Sequence, residues 1–418
     1  MRRHLVLLAL LASFAARRST AQTFSTIFTF QQPEGVGGLV VDSFGNLYGT
    51  TVQGGKYNAG VIFKLAKPSS GGGYKFSVLH DFDGTSGGSA AGDIVLDGSG
   101  NLYGTTAKGG SVTSSCATGC GTVFKLTHPA SPGAAWTFSV IYSFQGYPGD
   151  GQSPYFLSLN SQGVLFGTTP LGGAGNVGTV YELTNSGLTW TESLLFNLSP
   201  QKLPCNPPGT PTFDSSGNIF FATELGGPGN TGCIIELTPP VPPATTWTST
   251  TLWTFGSGGR GSLPVGPQLM NASGELFGVT LYGGLYAQGS FYKLTPSGSS
   301  WTHKLLYSFG SPSKSGYWPI NLLPGPKTGT YHGGAIGGGY CPLNCNGTVY
   351  ELTQPTSQGG SWTQSVLYTF QGSADGSLPY GLIKDSQGTL YGFTIAGGFF
   401  GNSSCHSNGC GTIFKISF

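Results

Sequence analysis

Charge is what this chain has least of. Lysine, arginine, aspartate and glutamate make up 8% of its 418 residues, against roughly 25% in typical soluble proteins. The net charge is +2, and no lysine/arginine cluster stands outside the first few residues. A nucleic-acid partner is therefore not expected. No segment carries a helical period with caps, which removes the helical and α/β classes. No Gly-X-Y period exists, so the 72 glycines do not make a collagen. No phosphate loop, nucleophile elbow or triad order is present, and no two histidines share a ligand spacing. The sequence thus offers no catalytic residue, no metal site and no cofactor. The longest apolar run, Leu5–Ala16, is too short to span a bilayer.

That run is informative in another way. Arg2 and Arg3 precede it and small residues follow. Residues 1–21 read as a signal peptide cleaved after Ala21, with 22–418 as the mature chain, secreted, periplasmic or on the cell surface. Eight cysteines fit an oxidising compartment. Cys116/Cys120, Cys341/Cys345 and Cys405/Cys410 are close pairs, and Cys205 and Cys233 remain to pair by elimination. Zinc is the rival for close cysteine pairs, but each pair falls in a different repeat.

The repeat starts from "GNLYGTT" at 45–51, which returns unchanged at 100–106 and in altered form at 163, 217, 274 and 388. Alignment on it exposes seven units, about 55 residues apart, each with four strand-like runs. One run is always nine residues long, as in "WTFSVIYSF" (136–144). Strict alternation along it would set its tryptophan, its seventh residue and its final phenylalanine on one face. A second run is "GLVVD" and its relatives, and a third is the quoted stretch. The last is "GTVFKL" (121–126) and its relatives. Turns such as "DSFGN" and "DGSGN" join the second and third runs, where Asp or Asn caps its own turn. Unit six is eroded, and His332 takes the place of Tyr48 there.

Seven four-stranded antiparallel units predict a seven-bladed β-propeller. A β-helix is less favoured, because its repeats are shorter and it needs polar end caps. If the nine-residue run is the outer strand of the preceding blade, residues 22–30 complete the last blade and close the ring. If each unit is a whole blade, that closure is absent.

The combination "NLYGTT…GG…GTVFKL" resembles the Gloeo/Verruco tandem repeat of exported bacterial proteins, over nearly the whole mature chain. The resemblance implies export and carries no catalytic residue to transfer.

Strand alternation segregates the loops. The fixed Asp/Asn turns (Asp42, Asp97, Asp214, Asp385) share one face with the linkers. The variable loops, with all three close cysteine pairs, share the other. Tyr147, Tyr155, Tyr286, Trp318, Tyr340, Tyr380 and Phe399 on that second face are candidate binding residues for a sugar or a protein surface, or else plugs of the central channel. Asp83, Asp150 and Asp375 read as turn residues in preference to a calcium site or catalytic pair. Trp136, Trp190, Trp247, Trp301 and Trp362 fill one repeated packing slot. Lys64, Lys125, Glu182, Glu236, Lys293, Glu351 and Lys415 share one slot of the last run. Neighbours of opposite sign in this slot suggest ion pairs between blades, such as Lys125–Glu182 and Glu236–Lys293. The leading functional reading is a monomeric, non-catalytic exported protein that binds a glycan, surface polymer or protein partner through disulfide-stapled loops. The alternatives are a hydrolase or lyase acting on an extracellular polysaccharide, or a structural envelope protein.

Overall fold

The computed structural model is all-β and describes residues 22–418, apart from 33, 91, 132, 188, 199–204, 257–258, 311–315, 339–345 and 400–408, and with backbone only for 205–208. The expected signal peptide, Tyr340, Cys341, Cys345 and Cys405 lie outside the described residues. Seven antiparallel blades form a ring. In the first, an inner strand Val36–Val41 is followed by Leu47–Thr51, Val61–Ala66 and the outer strand Lys75–Asp81. In the seventh, Ser377–Lys384, Leu390–Ala396 and Thr412–Ser417 are completed by Thr23–Thr29 from the start of the chain. The ring is closed by hydrogen bonding between chain-distant strands, and Thr23–Thr29 covers what would otherwise be the open edge of Thr412–Ser417.

The repeated "LYGTT" has a packing cause. Every residue of Leu47–Thr51, Leu102–Thr106 and Leu165–Thr169 is buried. Its glycine is the seat for an aromatic ring of the next strand: a Cβ on Gly49 would lie 2.5 Å from Phe63 Cζ, and one on Gly104 2.5 Å from Phe124 Cζ. Blade four inverts the pair, with Phe221 opposite Ile235. The ring has moved to the second strand, and an aliphatic side chain takes its place on the third. The second threonine binds main chain on both sides. Thr280 Oγ1 donates to Tyr282 O at 2.8 Å and accepts the N–H of Ser290 at 3.2 Å. The glycine that opens the third strand is there for conformation and space. Gly289 has φ +109°, and a Cβ would sit 2.7 Å from Thr280 O and 2.5 Å from Cδ of Pro319 in the next blade.

The outer strand departs from simple alternation. In all seven blades its pairing slips by one residue, at Ile27, Leu79, Ile141, Leu195, Leu252, Leu306 and Leu367. Such a bulge reverses the facing of everything after it. The early residues of each outer strand therefore meet the preceding blade, as when Trp136 packs on Tyr48 and Trp190 on Tyr103. The late residues meet the following blade. His80 stacks on Phe138, Phe28 on Phe76, Trp253 on His303 and Tyr368 on Phe24. The expectation that the tryptophan shares a face with the seventh and ninth residues is thus overturned by the bulge. The result is an aromatic ladder at four of the seven blade junctions among the described residues.

Hydrophobic burial follows the same logic. Seven clusters of buried side chains occur among the described residues, each between two consecutive blades. The cluster between blades seven and one joins Phe393 and Ile413 to Phe63 and Leu47. Backbone hydrogen bonds add a second inter-blade tie: the N–H of Leu263, Trp318 and Leu378 donates to Thr231, Gln288 and Asn346 of the preceding blade. These three residues hold φ of 56–58°. That is an uncommon conformation for side chains of their size, held by the surrounding ring.

Candidate functional site

The face with the short hairpins is chemically occupied by its own turns. Asp42 Oδ1 accepts the N–H groups of Phe44 and Asn46, and its Oδ2 accepts from Asn46 Nδ2 and Tyr48 Oη. Asp97, Asp214 and Asp385 repeat the arrangement. The charged slot of the third strand looks across its own blade. Lys64 and Lys125 lie over the rings of Tyr48 and Tyr103, Lys293 pairs with Glu275 at 2.5 Å, and Glu351 with His332 at 2.9 Å. The expected Lys125–Glu182 and Glu236–Lys293 pairs between blades do not form among the described residues. Lys125 and Lys293 are engaged within their own blades by Tyr103 and Glu275, whereas Glu182 and Glu236 face Phe166 and Phe220 across the strand pair.

On the opposite face the loop carboxylates are also spoken for. Asp83 Oδ1 accepts from the N–H of Thr85 and from the N–H and hydroxyl of Ser86. Partial burial opposes its ionisation, yet these donors hold its pKa down at about 2. Asp150 and Asp375 each accept from a tyrosine of the outer strand, Tyr142 and Tyr368, and from a backbone N–H. All three are turn anchors.

Two further acids stand elsewhere, at the end of the channel on the variable-loop face. Asp93 lies at the start of the second inner strand. Its N–H donates to Tyr155 O at 3.0 Å, and its Oδ2 accepts from Thr210 Oγ1 of blade four at 3.1 Å. Burial pushes its carboxyl up to about 6. Glu224, at the loop end of Ile219–Gly226, is also raised by desolvation. Tyr155 and Tyr380 feel the charges of both acids. Four blades therefore bring two carboxyls, two phenols and a hydroxyl to one mouth. Tyr155 and Tyr380 occupy a slot that is glycine at Gly37, Gly92, Gly209 and Gly266. Where the side chain is lacking, the neighbour's backbone fills the space: a Cβ on Gly266 would lie 3.0 Å from Ile320 O. Asp93, Thr210 and Glu224 were not among the residues expected from sequence. The slot-by-slot alignment of inner strands is the signal that points to them.

The other expected aromatics fall into separate places. Tyr147 is 48% exposed and lies beside the disulfide Cys116–Cys120, whose sulfurs pack on Gly146. Trp318 meets Tyr282 and Tyr317 edge to face, with Tyr286 in a neighbouring exposed loop. Phe399 projects from blade seven. Leu171, Leu225, Leu285 and Ile395, on the same face, are exposed as well. They were missed because single aliphatic residues in variable loops carry no pattern. Of the remaining cysteines, Cys233 and Cys410 are disulfide-bonded, and the side chains of their expected partners, Cys205 and Cys405, lie outside the described residues.

The repeat pattern that builds this ring matches the model described as the Gloeobacter/Verrucomicrobia repeat over residues 207–418, half of the chain. The chain belongs to this repeat family. No curated protein matches it. Among solved structures, this family member is similar to virginiamycin B lyase of Staphylococcus aureus, in a catalytically inactive variant with quinupristin. The TM-score is 0.56 at 14% identity, over 95% of this chain and 99% of that one. It is also similar to a puromycin hydrolase, with a TM-score of 0.50 at 9% identity, over 88% of this chain and 50% of that one. At these identities the likeness shows the propeller fold.

Proposed function

We propose that the chain is an exported scaffold that binds a neutral glycan or similar polyhydroxylated polymer on its variable-loop face, over the channel mouth. One observation carries this reading. Most of the large apolar side chains left exposed, Tyr147, Tyr286, Tyr380 and Phe399 among them, lie on that face, and the mouth at its centre holds carboxyl, phenol and hydroxyl groups. Ring faces pack on sugar C–H surfaces, while the polar atoms of the mouth bind hydroxyls. The disulfide at Cys116–Cys120 supports an oxidising location. The test is a glycan array with the purified chain. A polysaccharide hit that weakens in Tyr155→Ala and Tyr380→Ala supports the reading. Hits that are indifferent to both variants, or no hits with folded protein, overturn it.

A second reading is favoured by Asp93 alone. A carboxyl that burial pushes up to about 6, at the same mouth as Tyr155 and Tyr380, suits a general acid acting on a polysaccharide. Release of reducing or unsaturated ends from an array hit, lost in Asp93→Asn, would favour an enzyme over a binder.

A further inference from the structure

The hairpin face contains one groove in which two carboxylates meet. It lies between blades four and five, has a volume of about 560 Å³, and is floored by Trp301, Phe220 and Phe213 beside Met270, Glu236 and Asp214. In blades one, two and seven the corresponding place holds a tyrosine, a lysine and an aspartate. Tyr48, Lys64 and Asp42 are joined by the phenol hydrogen bond and the ammonium over the ring. Tyr103, Lys125 and Asp97 repeat this, and Tyr391 pairs with Lys415 and bonds Asp385. In blade four the tyrosine is Phe220 and the lysine is Glu236. Blade three makes the same exchange, with Phe166 facing Glu182, but its turn carries Asn160 in place of the aspartate. In blade four two carboxylates therefore face one groove, and no lysine or arginine lines it. Burial first, and then the charge of Asp214, raise Glu236.

We infer that this groove binds a methylated ammonium ion, with its positive charge in the place that lysine fills in the sister blades. The chemistry selects this class. Asp214 Oδ1 is engaged by the N–H groups of Ser216 and Asn218 and its Oδ2 by Asn218 Nδ2, so its charge and the one acceptor position that the phenol fills in the sister blades face the groove. The floor is aromatic and thioether, with Trp301 edge to face on Phe220. A weakly hydrated cation with a methyl surface is stabilised by ring faces and a nearby carboxylate together. The carboxylates answer the charge from one side, while the floor of Phe213, Phe220, Met270 and Trp301 gives no acceptor to the remaining N–H groups of a bare ammonium and packs against methyl groups instead. The site lies on the opposite side of the ring from the channel mouth, so it stands or falls independently of the glycan reading.

The experiment titrates choline into the full chain, followed by calorimetry and indole fluorescence. Saturable binding is expected. The uncharged isostere 3,3-dimethylbutan-1-ol should bind at least about tenfold more weakly. Glu236→Lys, which restores the charge of the sister blades, should abolish choline binding without loss of the folded state. Glu236→Gln keeps the side-chain shape and should weaken binding at least several-fold even if the lysine variant folds poorly. No saturable binding to the folded chain, equal binding of the alcohol, or full binding by Glu236→Gln would each overturn the inference.

Discussion

Single residues explain most of what repeats and most of what does not. Gly289 must leave room for Thr280 O and for Pro319 of the next blade, at a φ that alanine resists. Gly289→Ala should cost about 2 kcal/mol or more, read as a lower denaturant midpoint at unchanged slope. Blade six shows the reverse case. Ala335 stands where the other blades carry the buried threonine, and Thr348 Oγ1 is buried without a partner. Ala335→Thr should restore the hydrogen bond and raise stability by about 1 kcal/mol, visible as a higher Tm. Asp93 ties stability to pH. Its folded-state carboxyl titrates at about 6, above the ordinary value of 3.8. The folded chain therefore holds a proton that the unfolded chain releases, and stability falls as pH rises from about 4 to about 6. Asp93→Asn should remove on the order of 2 kcal/mol of that fall, measured by urea unfolding at each end of the range.

At the scale of the strand, the recurring bulge at the sixth residue of the outer run decides how blades meet. It lets one strand send Phe138 to the preceding blade and Tyr142 to the following side. Blade three breaks the ladder with Glu192, which faces Tyr142 and Asp150 of blade two. Burial, with the charge of Asp150, pushes its carboxyl up to about 7 against the opposing hydrogen bond of Tyr142. Glu192→Gln should keep the hydrogen-bonding shape and raise Tm at pH 8, with a smaller gain at pH 5 where the acid is already protonated. The hairpin turns and the four-strand unit were legible because each is local: Asp42 and Asn46 are four residues apart, and their pattern recurs. The bulge was not legible, since no residue type marks a slip between two strands. The rim ion pairs were misjudged for a related reason. Sequence showed neighbours of opposite sign in one slot, but the choice between Glu275 and Glu236 as partner of Lys293 is made by distance within the blade. Asp93 and Thr210 are 117 residues apart, and only the closed ring makes them neighbours.

At the scale of the molecule, stability and recognition share one cause. Burial is confined to the blade interfaces, so each blade depends on both neighbours, and the mouth exists only while blades two, three, four and seven are held in a circle. Closure rests on Thr23–Thr29, paired with Thr412–Ser417, and on Phe24 and Phe28, which continue the ladder to Tyr368 and Phe76. The most direct measurement is equilibrium unfolding of residues 22–418 compared with residues 31–418. The closed-ring account predicts that the shortened chain loses at least several kcal/mol, since two aromatic contacts, a buried Phe30 and a whole strand pairing go together. An unchanged midpoint and slope after the deletion would contradict it.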